Sequence, residues 1–192
     1  MKKIMFTDKY GLTQAVLEGR KTITRRAVPE ELLECITWYA QGDEAGLIYR
    51  LIANSTYKVC EVVAIAQSYN DVIEEWKKGY GQGFCFSPKD RAGMTNKMFV
   101  RADDMPHHIK ITNIRVEHLQ NISDEDCLRE GVYELRETHG KPSAYSFIGD
   151  NAYWGKRKSP REAFAALIDK VSGKGTWDSN PMVWVYEFKL VD

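Results

Sequence analysis

No two of the four cysteines, Cys35, Cys60, Cys85 and Cys127, stand close enough to form a C-x-x-C pair. That spacing argues against a zinc knuckle and against a compact disulfide framework, and it is the pattern of a reduced, cytoplasmic protein. No apolar run approaches the roughly 20 residues of a membrane-spanning helix. After Lys2 and Lys3, the run Ile4-Met5-Phe6 is too short for a secretory leader. Net charge is also lacking, because 27 Lys and Arg balance 27 Asp and Glu. No global field therefore draws in nucleic acid or an anionic membrane, and any anion recognition has to be local. Internal repeats and low-complexity tracts are missing too.

What is present is enough apolar material for one core. At 192 residues and 43% hydrophobic, the chain reads as a single domain over 1–192. The stretch Gly19-Arg20-Lys21-Thr22-Ile23-Thr24-Arg25-Arg26 stands out, with four cations and two hydroxyls directly after a helix-like segment in which Leu12, Ala15 and Val16 repeat. Gly19 sits where a left-handed residue ends a helix, and Thr22 onward alternates as a strand. A threonine hydroxyl is a poor nucleophile unless a base takes its proton. A lysine can be that base if burial or neighbouring cations such as Arg20, Arg25 and Arg26 lower its pKa. In strict strand geometry Lys21 and Thr24 face opposite ways, so the turn at Gly19 has to break that parity.

Further along, Lys3 to Phe6 is expected as a short strand, and Asp8 as the cap of the first helix. A helix is expected from Pro29 to Gly42, a strand from Leu47 to Ala53, and a buried strand from Glu61 to Gln67. Asn70-Asp71 is expected to open a helix that Gly79 ends, and the glycines up to Thr95 a loop. Lys97 to Ala102 reads as β, and His107 to Leu119 as a long strand whose parity breaks at Thr112-Asn113, the mark of a bulge. Ser123-Asp124-Glu125-Asp126 and Ser159-Pro160-Arg161-Glu162 are capping boxes, with Gly131 and Gly173 as the stops. His139 to Lys158 shows no periodicity and reads as a loop, and Met182 to Leu190 as the closing strand.

Glu130 immediately precedes Gly131, at the negative end of its helix dipole, where a carboxylate suits proton transfer. His107-His108 does not suit a metal, because neighbours on a strand point to opposite faces. The cluster Lys156, Arg157, Lys158 and Arg161, beside Tyr153 and Trp154, has the cation-plus-aromatic composition of a single-strand nucleic-acid surface. Asn96, Lys97 and Arg101 add polar groups beside a presumed barrel strand.

Taken together, Gly19-Arg20-Lys21-Thr22-Ile23-Thr24-x-Arg26, the Ile122-to-Gly131 segment and the closing Trp184-Val185-Tyr186-Glu187-Phe188 resemble the ASCH domain family, with phage- and mobile-element-type members most similar. The resemblance implies an α+β fold, a PUA-like β-barrel with peripheral helices and additions near 27–58, 68–96 and 132–176, and a nucleoside or RNA as partner. A compact bacterial branch of that superfamily hydrolyses N4-acetylcytidine. By resemblance, Thr24 would be the nucleophile, Lys21 its general base and Glu130 the group that holds or shuttles a proton. Arg20, Arg26, Asn96 and Lys97 would bind substrate, with no cofactor and no metal. Arg25 departs from the compact pattern, which has an apolar residue there. The alternative the resemblance carries is a non-catalytic RNA-binding module of a phage or mobile element, using Arg20, Arg25, Arg26 and the Lys156 to Arg161 cluster.

Overall fold

A computed structural model describes residues 1–80, 91–136, 142–149 and 157–191. The glycine-rich stretch 81–90, and the Tyr153, Trp154 and Lys156 portion of the expected nucleic-acid surface, lie outside the described residues.

The fold is α+β. A mixed five-stranded sheet runs in the order β1 (Lys3–Ile4), β3 (Val62–Ile65), β4 (His108–His118), β7 (Met182–Leu190) and β2 (Ile23–Ala27). β1 pairs parallel with β3, and the other neighbours are antiparallel. β4 is the longest strand, and its register shifts between Ile111 and Asn113, where the broken alternation predicts a bulge. Among the described residues the sheet is open, with β1 and β2 at its edges, so the expected barrel does not close by strand pairing. β1 pairs with β3 over two residues only, Lys3 with Ala64 and Ile4 with Ile65, so its outer edge offers little ladder for a further strand. The edges are joined instead by a side chain: Arg26 on β2 donates through Nη2 to the carbonyl of Met5, just past β1, at 2.5 Å.

Seven α-helices among the described residues surround the sheet: α1 (Leu12–Leu17), α2 (Glu30–Ala40), α3 (Glu44–Ala53), α4 (Tyr69–Tyr80), α5 (Asp124–Arg129), α6 (Pro160–Ser172) and α7 (Thr176–Ser179). The segment 47–53, expected as a strand, is helical. Asp43 caps α3 by accepting from the Gly46 amide at 3.0 Å, Leu51 is fully buried, and Trp184 Nε1 donates to the Leu51 carbonyl at 2.8 Å. The stretch 97–102, expected as β, joins no sheet: Lys97–Phe99 and Ala102–Asp104 are 3₁₀ turns, and Lys97 Nζ donates to the carbonyl of Phe6 and to Asp8. α4 opens two residues earlier than a cap at Asn70 would place it, through a reciprocal box: Ser68 Oγ accepts from the Asp71 amide, and Asp71 Oδ2 accepts from the Ser68 amide. It also runs past Gly79 to Tyr80. β6 (Pro142–Ser146), inside the stretch 139–158 expected as a loop, pairs with β5 (Tyr133–Arg136) just before it as a second, two-stranded sheet.

The main core lies between the sheet and its helices. Ile4, Ile23, Ile65, Ile111 and Val185 from the strands meet Phe164 and Leu167 of α6 and Cys127 of α5. Each fully buried aliphatic side chain of this kind contributes roughly 1.5–3 kcal/mol relative to exposure. No described helix is long and apolar enough to cross a membrane.

Candidate active site

The site starts from the end of α1. Gly19 takes φ of 72°, its amide donates to the Val16 carbonyl at 2.9 Å, and the Lys21 amide donates to the Ala15 carbonyl at 2.8 Å. Glycine accepts that left-handed conformation without steric penalty. The chain then reverses, and β2 begins at Ile23, so Lys21 lies before the strand and escapes its alternation. This corner docks on the C-terminal end of α5, whose last carbonyls lack intrahelical partners. The Thr22 amide donates to the Arg129 carbonyl at 3.1 Å, and Lys21 Nζ donates to the Glu130 carbonyl at 2.8 Å. A cation at that end also complements the helix dipole. Gly131, at φ of 115°, permits the close approach, since a Cβ there would sit 2.8 Å from Leu12 Cδ2.

Lys21 is 2% exposed, and its three N–H groups are all engaged: Ile23 carbonyl at 2.8 Å, Glu130 carbonyl at 2.8 Å and Glu130 Oε2 at 2.5 Å. Burial pushes its pKa below the ordinary lysine range. Glu130 opposes that shift, and the positive charges of Arg26 and Arg25 add to it. The other oxygen of Glu130, Oε1, accepts from Arg25 Nη1 at 3.1 Å. The carboxylate is therefore held between two cations, rather than facing the helix dipole alone.

Sequence reasoning reads Arg25 as a cation near Lys21 and as a departure from the compact pattern, and the structure places it at the centre of an ion-pair network. Its side chain is 0% exposed. It donates to Glu117 Oε1 through Nη2 at 2.7 Å and through Nε at 3.1 Å, and to Asp126 Oδ2 through Nη2 at 2.9 Å. Those carboxylates are tied in turn: Arg115 donates to Asp126, to Glu117 Oε2 at 3.3 Å and to Glu187 Oε1 at 2.5 Å. Arg129 donates to Asp126 Oδ1 at 3.3 Å, Glu187 Oε2 at 3.2 Å and Thr22 Oγ1 at 3.1 Å. Cations and carboxylates thus alternate from buried Lys21 outward to half-buried Glu187. Two spacings carried the signal for this network, Arg115 and Glu117 at i, i+2 on a strand and Asp126 and Glu130 at i, i+4 around a helix end.

A cavity of about 280 Å³ opens beside these groups. Met5, Phe6 and Thr7 after β1, Thr24 to Ala27 of β2, and α6 from Phe164 to Ser172 form its walls, with Lys21 and Glu130 also lining it. It occupies the gap left between the two sheet edges. The volume lies near the lower end of the range for small-molecule pockets, about 300–1,000 Å³. Thr24 is 5% exposed and borders the cavity, and among the described residues its hydroxyl makes no hydrogen bond. A hydroxyl, an ammonium and a carboxylate, 109 residues apart at the extremes, therefore line one hollow. The cavity thus has on its walls both a hydroxyl without an acceptor and a lysine whose acidity is raised by burial.

Of the expected substrate-binding residues, Arg26 lines the cavity, while Arg20, Asn96 and Lys97 are not among its lining residues. Arg20 is exposed and pairs with Glu18 at 2.5 Å. Asn96 caps the 3₁₀ turn by accepting from the Met98 amide, and Lys97 rivets the Phe6 carbonyl, Asp8 and Thr13. Arg161 lies over the Trp177 ring at 5.3 Å and donates to the Ile122 carbonyl. His107 pairs with Glu75 at 2.6 Å, on the wall of a separate acidic cleft, and among the described residues no group of His, Cys, Asp and Glu is placed to hold a metal.

No family model matches the chain, and no curated protein matches it. Among solved structures, the chain is similar to a crystal structure of an ASCH domain from Lactobacillus crispatus JV V101. The likeness is to an ASCH domain. It covers 96% of this chain and 75% of that one, at 12% identity and a TM-score of 0.37. So distant an ASCH likeness carries no argument about the site, which stands on its own geometry.

Proposed function

We propose that the protein is an ASCH-type, PUA-like domain that binds a nucleoside in the cavity between β1, β2 and α6, and hydrolyses an N4-acylated cytidine. The observation that carries this reading is the meeting of Lys21 and Glu130 at 2.5 Å in the hollow that Thr24 borders. In this reaction Thr24 Oγ1 attacks the acyl carbonyl carbon while its proton passes to neutral Lys21 Nζ. Lys21 becomes neutral by leaving its proton on Glu130 Oε2, the partner it already contacts. Collapse of the tetrahedral intermediate breaks the bond to N4, and the leaving amine takes a proton from the Lys21–Glu130 pair. Water then hydrolyses the threonyl ester to release the carboxylic acid. Apolar Phe164, Leu167 and Ile168 give the base a face to lie against.

The test is incubation of the purified protein with N4-acetylcytidine, following acetate and cytidine together. Release is expected from the parent and is expected to be lost in Thr24→Ala and in Lys21→Ala. No acetate at high enzyme concentration, or full rate in either variant, removes the hydrolytic assignment. The RNA-binding reading draws less support. Among the cations expected to serve it, Arg25 is enclosed by carboxylates, Arg20 is paired with Glu18 and Arg161 is committed to Trp177 and Ile122.

A further inference from the structure

We propose that Arg25 is a positioning residue for this site, holding Glu130 in the orientation that keeps Oε2 on Lys21 and leaves the Thr24 hydroxyl clear. The proposal rests on the hydrolytic reading above and extends it to a residue that does not touch the reacting atoms.

The geometry is over-determined. A glutamate side chain at a helix end has rotatable bonds enough to swing toward the cavity, which it lines. Arg25 Nη1 takes Oε1 and so fixes the plane of the carboxylate, and Lys21 takes Oε2. The guanidinium is itself clamped, because Nη2 and Nε grip Glu117 on β4, and Nη2 reaches Asp126 one helical turn before Glu130 on α5. Arg25 therefore bridges two carboxylates of one helix end from a strand on the opposite wall. The cavity-lining ring of Phe164 lies 6.0 Å from its Cζ and closes the remaining side. A planar fork with five donors can make this set of bonds, and a lysine at the same position cannot. An apolar residue there would leave Glu130 Oε1 free to turn into the hollow and take the hydrogen bond of the Thr24 hydroxyl. Arg25 also contributes to disfavouring the ammonium form of Lys21.

A merely structural buried arginine, replaced by a lysine that keeps its charge, would lower the melting temperature and leave the protonation of Lys21 where it was. The decisive measurement is the titration of Lys21 followed by the 13Cε resonance in the parent and in Arg25→Lys, at a temperature where both are folded. This readout needs no activity, so failure of the hydrolytic assay sinks the function above without deciding the fate of Arg25. With the charge kept and the fork gone, Glu130 Oε2 is no longer held on Nζ, and the Lys21 midpoint is expected to fall in Arg25→Lys by on the order of half a unit or more. In the parent-active case, the acidic limb of the pH–rate profile moves down with it. An unchanged or raised midpoint overturns the proposal. Should Arg25→Lys not fold, Arg25→Gln removes the fork in a shorter side chain. Its kcat is then expected to fall on the order of tenfold at unchanged KM. An unchanged kcat in Arg25→Gln overturns the proposal equally.

Discussion

A buried ammonium with three acceptors around it is electrostatically satisfied, yet it has lost the water that kept its proton cheap to hold. For Lys21 burial wins, and the folded-state pKa lies below the unfolded one, about 10.4. The sign of the pH dependence follows. Between the folded and unfolded values the unfolded chain binds more protons, so this group's contribution to stability rises as the solution is made more alkaline toward about 10.4. Urea unfolding of the parent and Lys21→Met between neutral and alkaline pH is expected to show the parent gaining on the variant. A gap that narrows toward alkaline pH would contradict the assignment. At neutral pH, Lys21→Met leaves Glu130 without its ammonium partner and is expected to cost about 3–5 kcal/mol, with part of the loss recovered in Lys21→Met/Glu130→Gln. At this scale the sequence displayed Lys21, Thr24 and Glu130, because a glycine corner and a capping box are local patterns. It did not display the role of Arg25, whose carboxylate partners lie 92, 101 and 105 residues away.

Elements ended by glycine and opened by serine were legible for the same reason, since α5, α6 and the α1 stop are each written within a few residues. α3 was misread because Leu47, Ile48, Leu51 and Ile52 fit a buried strand as well as an amphipathic helix. The Asp43 cap, confirmed by its bond to Gly46, was the deciding signal. The two stop glycines are expected to differ in cost. Gly19→Ala meets nothing within 4 Å and should lose only the left-handed backbone preference, about 1–2 kcal/mol, whereas Gly131→Ala also drives a methyl to 2.8 Å from Leu12 Cδ2. Thermal denaturation of the two variants should therefore rank Gly131→Ala as the less stable. Equal melting temperatures would mean that α1 yields freely. Ser159→Ala removes the acceptor of the Glu162 amide and is expected to cost about 1 kcal/mol of stability. Because α6 forms a cavity wall, that variant should also weaken cytidine binding by calorimetry.

The whole molecule is a curled sheet whose two edges meet through one arginine and one cavity, and this arrangement was beyond the reach of periodicity. Strand existence follows from alternation, but whether the first and last edges pair depends on the cumulative twist of the whole sheet, which no local pattern carries. A ligand filling the gap would hold the edges together more firmly than Arg26 alone. At a free concentration of about 100 Kd, cytidine is expected to add about 2.7 kcal/mol to unfolding. Hydrogen exchange should slow in residues 5–7 and 23–27 on ligand addition, and quicken in the same residues of ligand-free Arg26→Ala. Protection confined to the α2–α3 hairpin would place the ligand elsewhere.

Cys127 sits on α5 three positions before Glu130, wholly enclosed, with its thiol pushed up to about 12 by burial. An alkylating reagent at neutral pH should therefore modify exposed Cys35 and Cys60 within the first minutes and leave Cys127 untouched until α5 lifts from the sheet. The delay gives the chain a built-in clock for how often its acid-bearing helix detaches, and mass spectrometry of the Cys127 peptide would read it without any label.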